Sequence, residues 1–221
     1  MSIVGNWKLN GNANDALGVN NGTPNNVSYK QGIENQCAYG DGTPSDIEIR
    51  NTDAFKTLTQ GSIVGWINAP DSSYPTRIFA VHPSNFASIG LFFWLYHLNN
   101  KIALQQRNDG TGGNSLLFTT TNNVITYNKW HQVVYTVNAS GNKLYIDSKQ
   151  VPITYTTGNA ATNYFFDDIA TTQYYGIDST KYNSLTINRY LYGKIDDVRL
   201  YNHALSPAEI KNLYMYYKGF F

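Results

Sequence analysis

The chain consists of short stretches in which apolar and polar residues alternate, separated by segments rich in Gly, Pro, Asn, Asp and Ser. Alternation with a period of two is typical of half-buried strands, and such separators are typical of turns. Strands are predicted at residues 62–67, 89–98, 102–104, 130–137, 143–147, 185–187 and 195–201. Residues 155–181 lack this pattern and are interpreted as long surface loops with at most one strand. The sequence predicts an all-β fold, and 221 residues suit one sandwich domain spanning residues 1–221.

One helix is predicted near the end of the chain. Ser206 and Glu209 have the spacing of a capping box, and Pro207 occupies the first helical position, where its missing N–H is tolerated. The apolar face of this helix is formed by Ile210, Leu213 and Tyr214. We expect a short helix that packs over one end of the sandwich.

Composition argues against several classes of partner. Charged residues make up 14% of the chain and the net charge is +1, so no basic surface for nucleic acid or an anionic membrane is expected. The apolar run at residues 91–98 is too short to span a bilayer, which predicts no membrane insertion. The first residues do not resemble a secretory signal.

The single cysteine, Cys37, is expected to be a small buried residue, and His131 a structural histidine.

Four segments have a shared family pattern: residues 7–15, 62–70, 130–131 with 143–147, and 192–206. The first is an Asn- and Asp-rich loop, and the last runs into the capped helix. Together they resemble the laminin-G-like, concanavalin A-like jelly roll of lectins and glucanases, with Asp147-Ser148 in place of the family's Asp-Gly turn. The resemblance implies an antiparallel β-sandwich of two sheets (a jelly roll), frequent glycan or protein binding and, in many members, a structural calcium ion.

A calcium site is predicted where the first and last strands meet. Asp196 shares a strand face with Val198 and Leu200, which places its carboxylate at the edge of the core. A carboxylate there must be paired, hydrogen-bonded or metal-bound. Because similar folds pair their first and last strands, a Ca²⁺ site formed by Asn12, Asp15 and Asp196 is predicted. In the alternative, Asp196 accepts backbone N–H groups and the asparagines only form turns.

A row of aromatic residues is the predicted ligand-binding surface. In the strand at 89–98, the core-facing positions are Ile89, Leu91, Phe93 and Leu95. Phe92, Trp94 and Tyr96 face the other way, about 7 Å apart. Such a row on an outer face can stack on sugar rings. In the alternative, neighbouring loops cover the row and it forms a second packed layer.

The sequence does not predict catalysis. The resemblance implies that hydrolases of this fold carry Glu-x-Asp-x-x-Glu on one strand, whereas the glutamates here are Glu34, Glu48 and Glu209. Asp46 and Glu48 share a face but have the wrong order and no third carboxylate. Arg50 is expected to pair with them on a solvated face.

These observations predict a non-catalytic binding module. Its expected partner is a glycan or host-surface polysaccharide, in adhesion at a virion or cell surface, with a virion-surface or extracellular location. The alternative is a structural decoration or bridging subunit of a viral capsid or tail that binds a partner protein. A glycoside hydrolase is a third hypothesis. Phe220 and Phe221 are expected to be buried, either against their own sandwich or in a neighbouring subunit.

Overall fold

The computed structural model describes residues 2–50, 53–70, 75–83, 91–108, 113–169, 173–177 and 191–220. The strand predicted at 185–187 lies outside them. The described strands are β1 (Ile3–Trp7), β2 (Gly22–Asn25), β3 (Ser28–Gln31), β4 (Gln36–Asp41), β5 (Asp46–Ile49), β6 (Gly61–Asn68), β7 (Thr76–Pro83), β8 (Leu91–Leu98), β9 (Lys101–Asn108), β10 (Leu116–Thr120), β11 (His131–Asn138), β12 (Gly141–Ile146), β13 (Lys149–Gln150), β14 (Ile153–Thr157), β15 (Gln173–Ile177) and β16 (Tyr192–Tyr201). The helices are α1 (Asp53–Lys56) and α2 (Pro207–Tyr217), with 3₁₀ turns at Phe166–Asp168 and Lys218–Phe220.

The strands form two antiparallel sheets. In sheet A the order is β13-β12-β11-β6-β16-β4-β3, and β1 also pairs with β16. In sheet B the order is β14-β10-β9-β8-β7-β15-β5-β2. The predicted all-β sandwich with one short C-terminal helix is therefore confirmed.

The long strand β16 organises sheet A. It pairs with β4 along its first half, with β1 along its second half, and with β6 on its other edge. A bulge between Asp196 and Arg199 interrupts the pairing with β6, and Asp197 adopts a φ of 43° there. Cys37 on β4 is buried as predicted, and desolvation raises the pKa of its thiol to about 12.

Aromatic rings fill much of the space between the sheets. Phe165 and Phe166 are stacked with centroids 4.0 Å apart, and Phe166 lies 5.9 Å from Phe79 of β7. Both phenylalanines are fully buried. The interpretation of residues 155–181 as surface loops holds for the largely exposed stretch 158–164, but it was wrong for residues 165–169, where a 3₁₀ turn packs into the core.

Helix α2 lies on the outer face of sheet A. The predicted capping box is present, since Ser206 Oγ accepts the Glu209 N–H and Glu209 Oε2 accepts the Ser206 N–H. Its residues Ile210 and Leu213 pack against Val64, Val134 and Tyr145 of three neighbouring strands. The helix therefore covers the outer face of sheet A, and the expectation that it covers one end of the sandwich is corrected. Because the core lies on the other side of sheet A, both faces of β6 are buried. No helix in the described ranges is long and apolar enough to cross a membrane.

The turn from β12 to β13 forms without the family's glycine. Asp147 and Ser148 both have positive φ, 49° and 65°. The Asp147 carboxylate accepts the Gln132 N–H at 2.9 Å and lies 2.7 Å from His131 Nδ1, and these contacts offset part of the backbone strain. His131 Nε2 in turn accepts the Thr126 N–H at 2.9 Å, so both ring nitrogens are engaged. The structural interpretation of His131 is confirmed.

Candidate functional site

The outer face of sheet B carries the predicted aromatic residues. Trp94 of β8 lies opposite Ala80 of β7 and Gln105 of β9, while Phe93 and Leu95 belong to the core between the sheets. Trp94 and Tyr96 therefore face outward, as predicted from the period of two. The side chain of Phe92 lies outside the described residues.

Trp94 is nevertheless covered. Its side chain is 4% exposed, and the fully buried Arg77 places its guanidinium carbon 4.6 Å from the ring centroid. The ring of His82 lies 6.5 Å away, at 64° to the indole. A sugar cannot stack on a ring face that a guanidinium already occupies, so the alternative of a second packed layer describes Trp94. Tyr96 is half-buried, and its contribution to sugar binding stays a prediction.

Beside these rings lies a group of three hydrogen-bonded polar side chains, named here the polar trio: Gln105, Arg107 and Asn114. Asn114 Oδ1 accepts a hydrogen bond from Gln105 Nε2 at 2.9 Å and another from Arg107 Nε at 3.1 Å. All three residues are half-buried. Because Gln105 lies directly opposite Trp94, the polar trio adjoins the aromatic layer.

Sequence reasoning missed the polar trio, although part of its signal was present. In β9 the core-facing residues Ile102 and Leu104 alternate with outward residues, so Gln105 and Arg107 had to share the outer face with Trp94. The position of Asn114 could not be predicted in this way. This residue precedes β10, and it reaches Gln105 because β9 and β10 pair as a hairpin.

The two carboxylates considered for hydrolysis lie in sheet B, on β5. Glu48 Oε2 lies 2.8 Å from Arg50 Nη2, which confirms that pair. The Glu48 side chain is only 4% exposed, so the expectation of a solvated face is corrected. Asp46 instead accepts a hydrogen bond from Asn25 Nδ2 at 2.7 Å.

The predicted calcium ligands are engaged in backbone contacts. Asp15 is 3% exposed; its Oδ1 accepts the N–H groups of Asn6 and Leu17, each at 3.0 Å, and its Oδ2 accepts that of Asn20 at 3.0 Å. Asn12 is exposed, and its Oδ1 accepts the N–H of Asn14. These bonds hold the loop after β1 in place.

Like Asp15, Asp196 is bound by backbone N–H groups. It is 2% exposed, and its two oxygens accept the N–H groups of Ile33 at 2.9 Å and Asp197 at 2.8 Å. Desolvation raises the pKa of Asp196 to about 7. In the described part of the chain no group of three or more His, Cys, Asp or Glu residues is placed to hold a metal. These residues do not fit a shared calcium site, and calcium binding stays a prediction that their contacts do not support.

The buried Asp196 should make stability depend on pH. A carboxyl group whose pKa rises on folding, here from 3.8 to about 7, contributes stability that is complete below the lower value and lost as the pH rises through the higher one. Asp196→Asn removes this titration together with one acceptor oxygen. We therefore expect the wild type to be the more stable protein at pH 5, with the difference shrinking towards pH 8. Thermal melts of both proteins at the two pH values measure it, and a difference that is independent of pH would contradict the prediction.

Phe221 and the side chain of Phe220 lie outside the described residues, so their predicted burial stays a prediction. Tyr217, the last residue of α2, is 1% exposed and anchors the C-terminal end of the helix. Its hydroxyl oxygen lies 3.0 Å from Lys8 Nζ and 3.2 Å from Arg199 Nη2.

Comparison with known families agrees with this architecture. A family model described as the concanavalin A-like lectin/glucanases superfamily matches residues 41–211. The chain belongs to this superfamily. No curated protein matches the sequence.

Solved structures with the concanavalin A-like fold include several binding domains. Domain 4 of a GH43 extracellular arabinanase from Geobacillus stearothermophilus, in complex with arabinotriose, is 16% identical with a TM-score of 0.61, and the match covers 96% of this chain and 98% of that one. The CBM40 of the Ruminococcus gnavus IT-sialidase, bound to α2,3-sialyllactose, is 17% identical with a TM-score of 0.60, over 72% and 83% of the two chains. The botulinum neurotoxin serotype D binding domain is 19% identical with a TM-score of 0.64, over 97% of this chain and 51% of that one. At these identities the likeness concerns the fold.

Proposed function

We propose that this chain is a non-catalytic glycan-binding module, and that the outer face of sheet B around the polar trio binds the sugar. The observation that carries the proposal is the carboxamide of Asn114 held by Gln105 and Arg107 beside an aromatic layer. Similar folds in complex with arabinotriose and with sialyllactose support a sugar as the ligand.

The chemistry of the polar trio suits carbohydrate. Sugar hydroxyls need donors and acceptors in fixed positions, and amide side chains supply both. Mutual hydrogen bonds orient these groups before a ligand arrives, which reduces the entropy lost on binding. Half-buried Tyr96, opposite the small residue Ala103, adds an aromatic surface close to them. Arg107 additionally favours a sugar that carries a carboxylate, because a guanidinium binds that group with paired hydrogen bonds.

Two further features support binding without catalysis and a role at a surface. Glu48 forms an ion pair with Arg50, and Asp46 accepts a hydrogen bond from Asn25. These contacts give both carboxylates a structural role. The low charged fraction, 14%, fits a module whose contacts are made by amides, hydroxyls and aromatic rings. We propose that the module binds host polysaccharide at a virion or cell surface.

Removing the polar trio should weaken glycan binding while leaving the fold intact. We expect Arg107→Ala to reduce affinity about tenfold or more, because a hydrogen bond to a charged group contributes about 1.5–3 kcal/mol. Asn114→Ala should reduce affinity several-fold, because a hydrogen bond of a neutral amide contributes about 0.5–1.5 kcal/mol. Arabinotriose and α2,3-sialyllactose serve as the first probes by calorimetry, followed by a glycan array. Lys143→Ala, an exposed residue of β12 in sheet A, is the matched control. Unchanged binding in variants with wild-type melting temperatures would reject this face as the site.

A further inference from the structure

A separate pocket lies on the outer face of sheet A, away from the polar trio. It has a volume of about 230 Å³. Lys194 of β16 pairs with both Tyr39 of β4 and Asn68 of β6, so these three side chains form one row across the sheet. Asn68 is two residues beyond Trp66, which contacts α2, and therefore faces the same way. The remaining lining includes Pro70, Asn128 and Tyr192.

The protein supports both tyrosine rings of this pocket, named here the tyrosine pocket. The Lys30 ammonium lies 3.2 Å from the Tyr39 ring centroid, a cation–π contact that fixes the ring from one side. Tyr192 packs against Gly42, where an added Cβ would lie 2.7 Å from its Cδ2, and the φ of +89° there also favours glycine. Both rings are half-buried, so each has part of its surface in contact with solvent at the pocket.

Two amide side chains complete the lining. Asn68 is half-buried and Asn128 is exposed, and neither carboxamide makes a hydrogen bond to the described residues. The backbone N–H of Asn128 donates to Ala69 at 2.7 Å, which fixes this residue at the rim. A carboxamide presents a donor and an acceptor in one plane, an arrangement that matches two adjacent hydroxyls of a sugar ring.

We propose that the tyrosine pocket is a second sugar-binding site, which takes a single neutral hexose or pentose ring. The described residues that line the pocket include no carboxylate, and the one cation among them, Lys194, already donates to the backbone oxygen of Gln31 at 3.1 Å. The volume is below the roughly 300–1,000 Å³ of pockets for drug-sized ligands, which limits the occupant to one ring. The ring stacks on Tyr39, and Asn68 and Asn128 bind its hydroxyls.

This site is independent of the polar trio, which lies on the outer face of the other sheet. One module with two sites facing opposite ways can bind two glycan chains at once. Each site can then be weak, because bivalent attachment raises the overall affinity on a dense surface.

Titration with methyl glycosides of glucose, galactose and arabinose tests the proposal by ¹⁵N NMR of the full chain. We expect the side-chain amide signals of Asn68 and Asn128 to shift with at least one glycoside. Tyr39→Ala and Asn68→Ala should each weaken this binding at least tenfold, whereas Arg107→Ala should leave it unchanged. Tyr164→Ala, at another partly exposed tyrosine, is the matched control.

The outcomes separate the two sites. If none of the three glycosides shifts these amide signals, or if Asn68→Ala and Tyr39→Ala retain wild-type binding, the tyrosine pocket is not a sugar site. Should Tyr39→Ala fail to fold, Asn68→Ala decides alone. Arg107→Ala is expected to lose oligosaccharide binding at the polar trio and to keep the glycoside-induced shifts of Asn68 and Asn128. Loss of those shifts in Arg107→Ala would reject the tyrosine pocket as a separate site, and unchanged oligosaccharide binding in Arg107→Ala would reject the polar trio.

Discussion

Replacing Trp66 with alanine should lower the free energy of unfolding by about 3–5 kcal/mol, the range for removing a large buried aromatic side chain. Trp66 is fully buried between sheet A and α2. Its ring is stacked on Tyr214, with centroids 5.7 Å apart and planes at 16°, and meets the edge of Tyr217 at 5.6 Å. The substitution therefore leaves a cavity and loosens the helix at the same time. Equilibrium denaturation in urea measures the loss.

Tyr216→Ala is the matched control, because this neighbouring residue on α2 is 59% exposed. A change within about 0.5 kcal/mol is expected for it. Hydrogen exchange adds a second readout: amides of α2 should exchange faster in Trp66→Ala than in Tyr216→Ala. If the two variants were equally stable, the helix would not depend on this aromatic contact.

Asp197→Asn should also destabilise the protein by about 3–5 kcal/mol, because it leaves the largely buried Arg199 guanidinium without its counterion. The Asp197 side chain is 3% exposed and lies 2.7 Å from Arg199 Nη2 and 2.9 Å from Lys8 Nζ. Burial alone would lower the pKa of Arg199, but the charge and hydrogen bond of Asp197 raise it overall. Asparagine tolerates the positive φ of this position, so the substitution changes the charge and not the backbone.

Asp41→Asn, at an exposed carboxylate on β4, is the control for a change of one negative charge and should have a small effect. Adding Arg199→Met to Asp197→Asn should restore part of the stability, because it removes the cation that the first substitution leaves unpaired. Urea denaturation of the wild type, Asp197→Asn, Arg199→Met and the double variant gives the coupling energy between the two positions. A coupling energy near zero would mean that the pair contributes little.

The sequence predicted the features that depend on local pattern. The period of two in β8 assigned Trp94 and Tyr96 to the outer face, and the spacing of Ser206 and Glu209 located the start of α2. These signals lie within a few residues and need no knowledge of the partner strand.

Features that depend on packing between distant segments were not predictable in this way. Alternation shows that Trp94 faces outward, but it does not show that Arg77 of the adjacent strand β7 covers its ring. Phe165 and Phe166 likewise lie in a polar, irregular stretch of sequence. Their burial follows from packing against Phe79 and Phe93 of sheet B, which the local pattern does not reveal. The calcium prediction rested on the Asp196 carboxylate and an oxygen-rich loop. It could not foresee that backbone N–H groups bind Asp15 and Asp196, one of them from the distant residue Ile33.

The pairing of β1 with β16 also has a consequence for how the chain folds. Ser2 N donates to Asn202 Oδ1, and Trp7 lies opposite Val198, so the two strands that meet are almost the whole chain apart in sequence. Closing so long a loop is entropically slow, and folds dominated by such contacts reach the native state in milliseconds to seconds. During synthesis, the edge of β1 that pairs with β16 stays unpaired until β16 has left the ribosome, so aggregation competes with folding most strongly in that interval.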